Sequence, residues 1–106
     1  MRKILAAALL LVASMAYAEL GTRTVSVTAG SQTITIGYDT LTIVNDGSNE
    51  VYVRIFAGGE ATGDATTSSA QIKSGEGFTF YRQGQINSIS IVCAASETAT
   101  VRLFYW

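Results

Sequence analysis

From Thr22 to Trp106 the chain is a succession of short runs in which apolar and polar side chains alternate: TRTVSVT, QTITI, TLTIV, VYVRIF, FTFYR, INSISIVCA and ATVRLFYW. A period of two sends successive residues to opposite faces of a pleated strand, and no α-helix can satisfy it. After Glu19 no window repeats at the helical spacing. The runs predict strands near Thr22–Thr28, Gln32–Ile36, Thr40–Val44, Val51–Phe56, Phe78–Arg82, Ile86–Ala94 and Ala99–Trp106, with Gln71–Lys73 as a short edge piece. AGS, GYD, NDGSN, SGEG and SET separate them, and all contain residues that tolerate tight turns. The fold expected is all-β, a small antiparallel β-sandwich of jelly-roll or Ig-like type with about seven to eight strands.

The first residues, MRKILAAALLLVASMAYA, have another character: Arg2 and Lys3, an apolar run from Ile4, and a small-x-small site at Ala16, Tyr17 and Ala18. That is the layout of a cleaved signal peptide over residues 1–18. Its apolar run is shorter than the roughly 20 residues that span a bilayer. The mature chain is then residues 19–106, one β-sandwich domain with no membrane span, exported to the periplasm or the extracellular medium. Losing 18 of 106 residues leaves 88, too few to enclose a large active site.

Composition excludes several chemistries. Histidine is absent and Cys93 is the single cysteine, so imidazole catalysis, His or thiolate metal sites and an intrachain disulfide all lack their residues. Cys93 alternates with Ile89 and Ile91 and reads as a small buried hydrophobe, an intermolecular disulfide being the alternative. Without Arg2 and Lys3, five basic residues face eight acidic ones, a formal charge of −3, which argues against nucleic acid as a partner. The oxygens of Asp46, Ser48 and Glu50 cover only half of a calcium loop, so a solvated hairpin turn is expected there. No catalytic residue, metal or cofactor is expected, and the chain is read as non-enzymatic. The polar segment Gly58–Ala70 is expected to be a mobile surface loop.

The second face of two strands is the informative feature. If Val51, Val53 and Ile55 point to the core, Tyr52, Arg54 and Phe56 point away; if Val101, Leu103 and Tyr105 point in, Arg102, Phe104 and Trp106 point out. Tyr81, opposite in phase to Phe78 and Phe80, joins the outer set. Aromatics and arginine are the residue types enriched at interfaces. Tyr52, Arg54, Phe56, Phe104 and Trp106 are therefore the candidate interface, for a protein partner (a second copy or a larger assembly) or, as the second class, for a glycan stacked on the rings. The competing arrangement buries these rings beneath the long loop or the first strand.

TIVNDGSNEVYVR (Thr42–Arg54), IKSGEGF (Ile72–Phe78), INSISIVCAAS (Ile86–Ser96) and TATVRL (Thr98–Leu103) resemble small β-sandwich proteins encoded among phage structural genes. The resemblance runs through most of the mature chain and rests on turn and strand patterns. It implies a virion-associated role as a decoration or fibre-accessory protein that binds other subunits. The reading of the whole chain is an exported or virion-associated structural module that self-associates or docks, the alternative being a carbohydrate-binding module.

Overall fold

The computed structural model describes residues 21–106; the signal peptide expected over residues 1–18 lies outside the described residues. Among the described residues six strands form one antiparallel sheet: β1 (Gly21–Val27), β2 (Gln32–Asn45), β3 (Val51–Ala57), β4 (Ala70–Ile72), β5 (Gly77–Cys93) and β6 (Ala99–Tyr105). Their order across the sheet is β1-β6-β2-β5-β3-β4. The all-β, antiparallel expectation holds. The strand count does not, because the expected GYD turn and the gap between Arg82 and Ile86 are bends inside continuous strands: Gln32–Ile36 and Thr40–Val44 are both parts of β2, and Phe78–Arg82 and Ile86–Cys93 are both parts of β5.

The bends share one corner. Gly37 adopts φ 74° in β2, while Gly84 and Gln85 adopt φ 90° and 104° in β5. The Gln85 side-chain amide donates to the Gly37 carbonyl at 3.0 Å and ties the two bends together. The ladder resumes on each side, with Thr35 opposite Ser88, Tyr38 opposite Ile86 and Thr40 opposite Tyr81; Asp39 alone faces Arg82, Gln83, Gly84 and Gln85. A bulge of this kind turns a strand without ending its pairing. It is the reason GYD is a corner and not a hairpin turn.

The corner divides the sheet into two halves. The first comprises β1, β6, Leu41–Asn45 of β2 and Gly77–Tyr81 of β5. The second comprises Gln32–Thr35 of β2, Ile86–Cys93 of β5, β3 and β4. Core residues come from both: Val25, Val27, Leu41, Ile43, Val101 and Leu103 from the first, and Ile34, Val51, Val53, Ile72, Ile89 and Ile91 from the second. They form one cluster, as expected when a sheet curls its apolar faces onto each other. At one end the Cys93 amide donates to the Thr28 carbonyl at 2.8 Å, joining the end of β5 to the end of β1.

Asn45 pins the other side. It is fully buried, and its side-chain amide donates to the Asn49 carbonyl at 2.8 Å and the Ile72 carbonyl at 3.1 Å while its oxygen accepts from Gly47 N at 2.9 Å. A buried amide is tolerated only when so satisfied. The NDGSN turn is thereby fastened to the end of β4.

Candidate functional site

The outer face of the first half is built by cross-strand rows. Thr40 stands opposite Tyr81 on one side, and on the other exchanges two backbone hydrogen bonds of 3.1 Å with Trp106. In the next row Thr79, Thr42, Phe104 and Thr22 lie side by side across four strands, and the Thr42 and Thr79 hydroxyls are 2.8 Å apart. Paired residues share a face, so this is a surface of threonine hydroxyls interrupted by rings. Tyr81 is 70% exposed and Trp106 49%. Arg102 lies 5.7 Å from the centre of the Phe104 ring and makes a two-pronged ion pair with Asp46. The Asp46 carboxylate, which accepts from it, holds the guanidinium above its ordinary pKa. A shallow depression of about 480 Å³ beside them is lined by Thr22, Arg23, Thr24, Arg102, Leu103 and Phe104.

The five candidate residues do not form one surface. Phe104 and Trp106 belong to the first half, while Tyr52, Arg54 and Phe56 sit on β3, separated from β6 by β2 and β5. Phe56 is moreover only 1% exposed, and its expected place on an open interface is corrected. The long loop is fastened to the same face of the sheet: Ala65 is buried and its amide donates to Ser90 Oγ at 2.8 Å, Ser90 being opposite Arg54 and Ser88 opposite Phe56. Ser31 Oγ donates to Asp64 at 2.8 Å, and Glu60 meets Arg82 at 3.3 Å. The loop expected to be mobile is thus tied to the sheet at several points.

Arg54 lies 5.0 Å from the Phe56 ring centre, within cation–π range, and remains exposed. Tyr52 is half-buried and donates to Glu50 at 3.2 Å; burial, and after it that carboxylate, pushes the phenol up. Glu50 also accepts from Gln71. Asp46 and Glu50 are therefore engaged by different partners and do not converge on a common centre. Among the described residues no three of Cys, Asp and Glu gather into a metal-binding group, and no helix is long and apolar enough to cross a membrane.

Phe78 is the surface residue that the strand pattern misses. It shares the core-facing phase with Phe80, through partners Ile43 and Leu41, and the two rings are 6.3 Å apart. Yet Phe78 is 44% exposed. The reason is that β3 pairs with β5 only from Ile86 onward, so among the described residues no strand flanks Phe78 on its second side. No local sequence signal reports what stands on the far side of a strand.

No protein-family model and no curated protein sequence matches the chain. Among solved structures it is similar to the cobalt form of HppE in complex with substrate, with TM-score 0.56, 10% identity, and coverage of 82% of this chain and 44% of that one. It is also similar to the cupin domain of Drosophila melanogaster CENP-C, with TM-score 0.53, 16% identity, and coverage of 84% of this chain and 61% of that one. The same D. melanogaster protein bound to CAL1 matches with TM-score 0.51, 15% identity, and coverage of 79% and 58%. The chain spans roughly half the length of these proteins, and at such identities the likeness is one of fold: a curled, cupin-like antiparallel sheet.

Proposed function

We propose that this chain is a non-enzymatic, exported structural module of jelly-roll type that self-associates or docks onto a larger surface or virion assembly. The observation that carries the reading is the first part of β5. Every residue from Gly77 to Gln85 except Phe80 is exposed, Phe78 and Tyr81 among them, in a strand whose later part is buried. Exposed aromatics beside an unpaired strand edge are a costly surface for an isolated domain to leave uncovered. The CAL1-bound neighbour shows a protein of similar fold engaged with a protein partner. Sedimentation velocity on residues 19–106 across a concentration series tests the proposal. Concentration-dependent association, or capture by a larger assembly, is expected.

The second reading is a carbohydrate-binding module, favoured by the Tyr81–Thr40–Trp106 row. Two exposed rings flank a hydroxyl there, two strand spacings apart or about 9.5 Å, and Thr42, Thr79 and Thr22 lie in the next row. A strict monomer that binds in a glycan screen, and loses binding in Trp106→Ala, overturns the first reading in favour of this one.

A further inference from the structure

We propose that two copies of this chain pair edge to edge through β5, antiparallel about Thr79, so that the first half-sheet of one molecule continues into that of the other. The inference rests on the docking reading and names its partner.

The edge itself is open. Gly77–Tyr81 pairs with β2 on one side, and β3 takes up β5 only at Ile86, so the outward N–H and C=O groups of Gly77–Tyr81 meet no strand among the described residues. The two outer strands of the sheet are blunted in ways that discourage added pairing. β4 has three residues, and β1 carries Arg23, an exposed charge in the phase of the buried Val25 and Val27. Short edges and inward-pointing charges are recognised protections. Gly77–Tyr81 has neither a charge nor a proline. Beyond it the positive φ of Gly84 and Gln85 turns the chain away and limits the segment.

The segment is also complementary to its own reverse. EGFTFYR, Glu76–Arg82, has opposite charges at its ends, a phenylalanine on each side of a central threonine, and a glycine matched against a tyrosine. Antiparallel pairing about Thr79 sets Glu76 opposite Arg82 of the second copy twice over. Phe78 comes opposite Phe80, covering the ring exposed in the single chain, and Tyr81 lies over Gly77, which has no side chain to obstruct it. Cross-strand ion pairs and aromatic pairs are what stabilise such ladders. Moving the axis to Phe80 sets Arg82 opposite Phe78 and Glu76 opposite Gly84, which leaves both charges without a partner. The charge pattern therefore selects the register. Arg82 already meets Glu60 with its side chain 52% exposed, and a guanidinium has donors enough for a second carboxylate. Glu76 uses Oε1 for the Lys73 amide.

Two variants test the register. In Thr79→Cys the new thiols face each other across the axis with Cβ atoms about 4.5–5.5 Å apart, while native Cys93 is buried. Mild oxidation should give a disulfide-linked dimer on a non-reducing gel, whereas Thr24→Cys, exposed on β1, should cross-link about tenfold less. Arg82→Glu should weaken self-association by about tenfold, since two attractive pairs become repulsive, and Arg82→Glu with Glu76→Arg should restore it. That rescue reports the contact between copies, because the swap still leaves a carboxylate at position 82 facing Glu60 within its own chain. If the protein associates but Thr79→Cys cross-links no better than Thr24→Cys, the edge pairing is overturned and the docking reading stands. A protein that neither associates with itself nor docks on any assembly overturns both.

Discussion

β5 runs through two environments. From Ile86 to Cys93, Ile89, Ile91 and Cys93 enter the core, while Ser88, Ser90 and Val92 are buried on the opposite face. From Gly77 to Gln85 only Phe80 is even half-covered. Two serines are thus fully enclosed in one part, while a phenylalanine and a tyrosine lie open in the other. The difference lies in the neighbours. The later part has β2 on one side, β3 on the other and the Gly58–Ser69 loop fastened to it at Ser90; the earlier part has, among the described residues, β2 as its one strand partner. Burial in a sheet is decided by what pairs alongside and what packs above, and the strand's own alternation fixes only which face each side chain takes.

The largest effect expected from breaking this contrast is at Phe56, opposite Ser88 in the buried part. Phe56→Ala should cost about 3–5 kcal/mol, as large-to-small changes of enclosed aromatics do, measured by urea unfolding. A cost under about 0.5 kcal/mol, typical of surface positions, would mean that Phe56 is not enclosed in solution. A direct comparison along the strand follows. Ile89→Ala should lose about 2–5 kcal/mol, whereas Tyr81→Ala should stay within about 0.5 kcal/mol in dilute, unassociated protein.

A third measurement concerns Cys93. Burial pushes its thiol up from the usual range, with the Glu97 charge adding to it. The folded state therefore holds the proton longer than the unfolded chain does. The sign follows: this contribution to stability is complete below the ordinary thiol pKa and is lost as pH rises through it toward the folded value. Stability of the native chain, compared with Cys93→Ala, should fall more steeply in alkaline solution, and the thiol should react with a disulfide reagent only on unfolding. Rapid native-state labelling would show that the end of β5 opens. The smallest effect is at Ser88, whose buried Oγ has no hydrogen-bond partner among the described residues. Ser88→Ala removes an unsatisfied hydroxyl and should be neutral or raise stability by up to about 1 kcal/mol, seen as a small rise in Tm.

Most strands are legible in the sequence because each places its apolar residues at the same phase: Val25 and Val27, Ile34 and Ile36, Leu41 and Ile43, Val51 and Val53 all turn inward. The edge piece near Gln71 is β4, and Cys93 packs as a small hydrophobe in the core. The corner at GYD is not legible, because glycine signals a positive φ without saying whether the ladder resumes beyond it. Of the candidate surface, Trp106 lies exposed as expected and Phe104 is half-covered. Phe56 is buried, on a face where the loop is fastened through Ala65 and its bond to Ser90, a contact that the loop's polar, small-residue composition does not announce. Phe78 takes the inward phase that alternation assigns it and is nevertheless open to solvent.

What the sequence alone determined about this protein is local: strand after strand, the face each side chain takes, and the absence of the residues that imidazole chemistry or a thiolate metal site requires. Those properties follow from backbone stereochemistry and composition, which act residue by residue. Only the tertiary structure decided that two pairs of runs are single bent strands, that Phe56 is buried while the loop is fastened to Ser90, and that Gly77–Tyr81 keeps an edge bare of any strand among the described residues. Each of these depends on which distant segment comes to lie alongside, a matter of long-range pairing that the alternation along one strand does not encode.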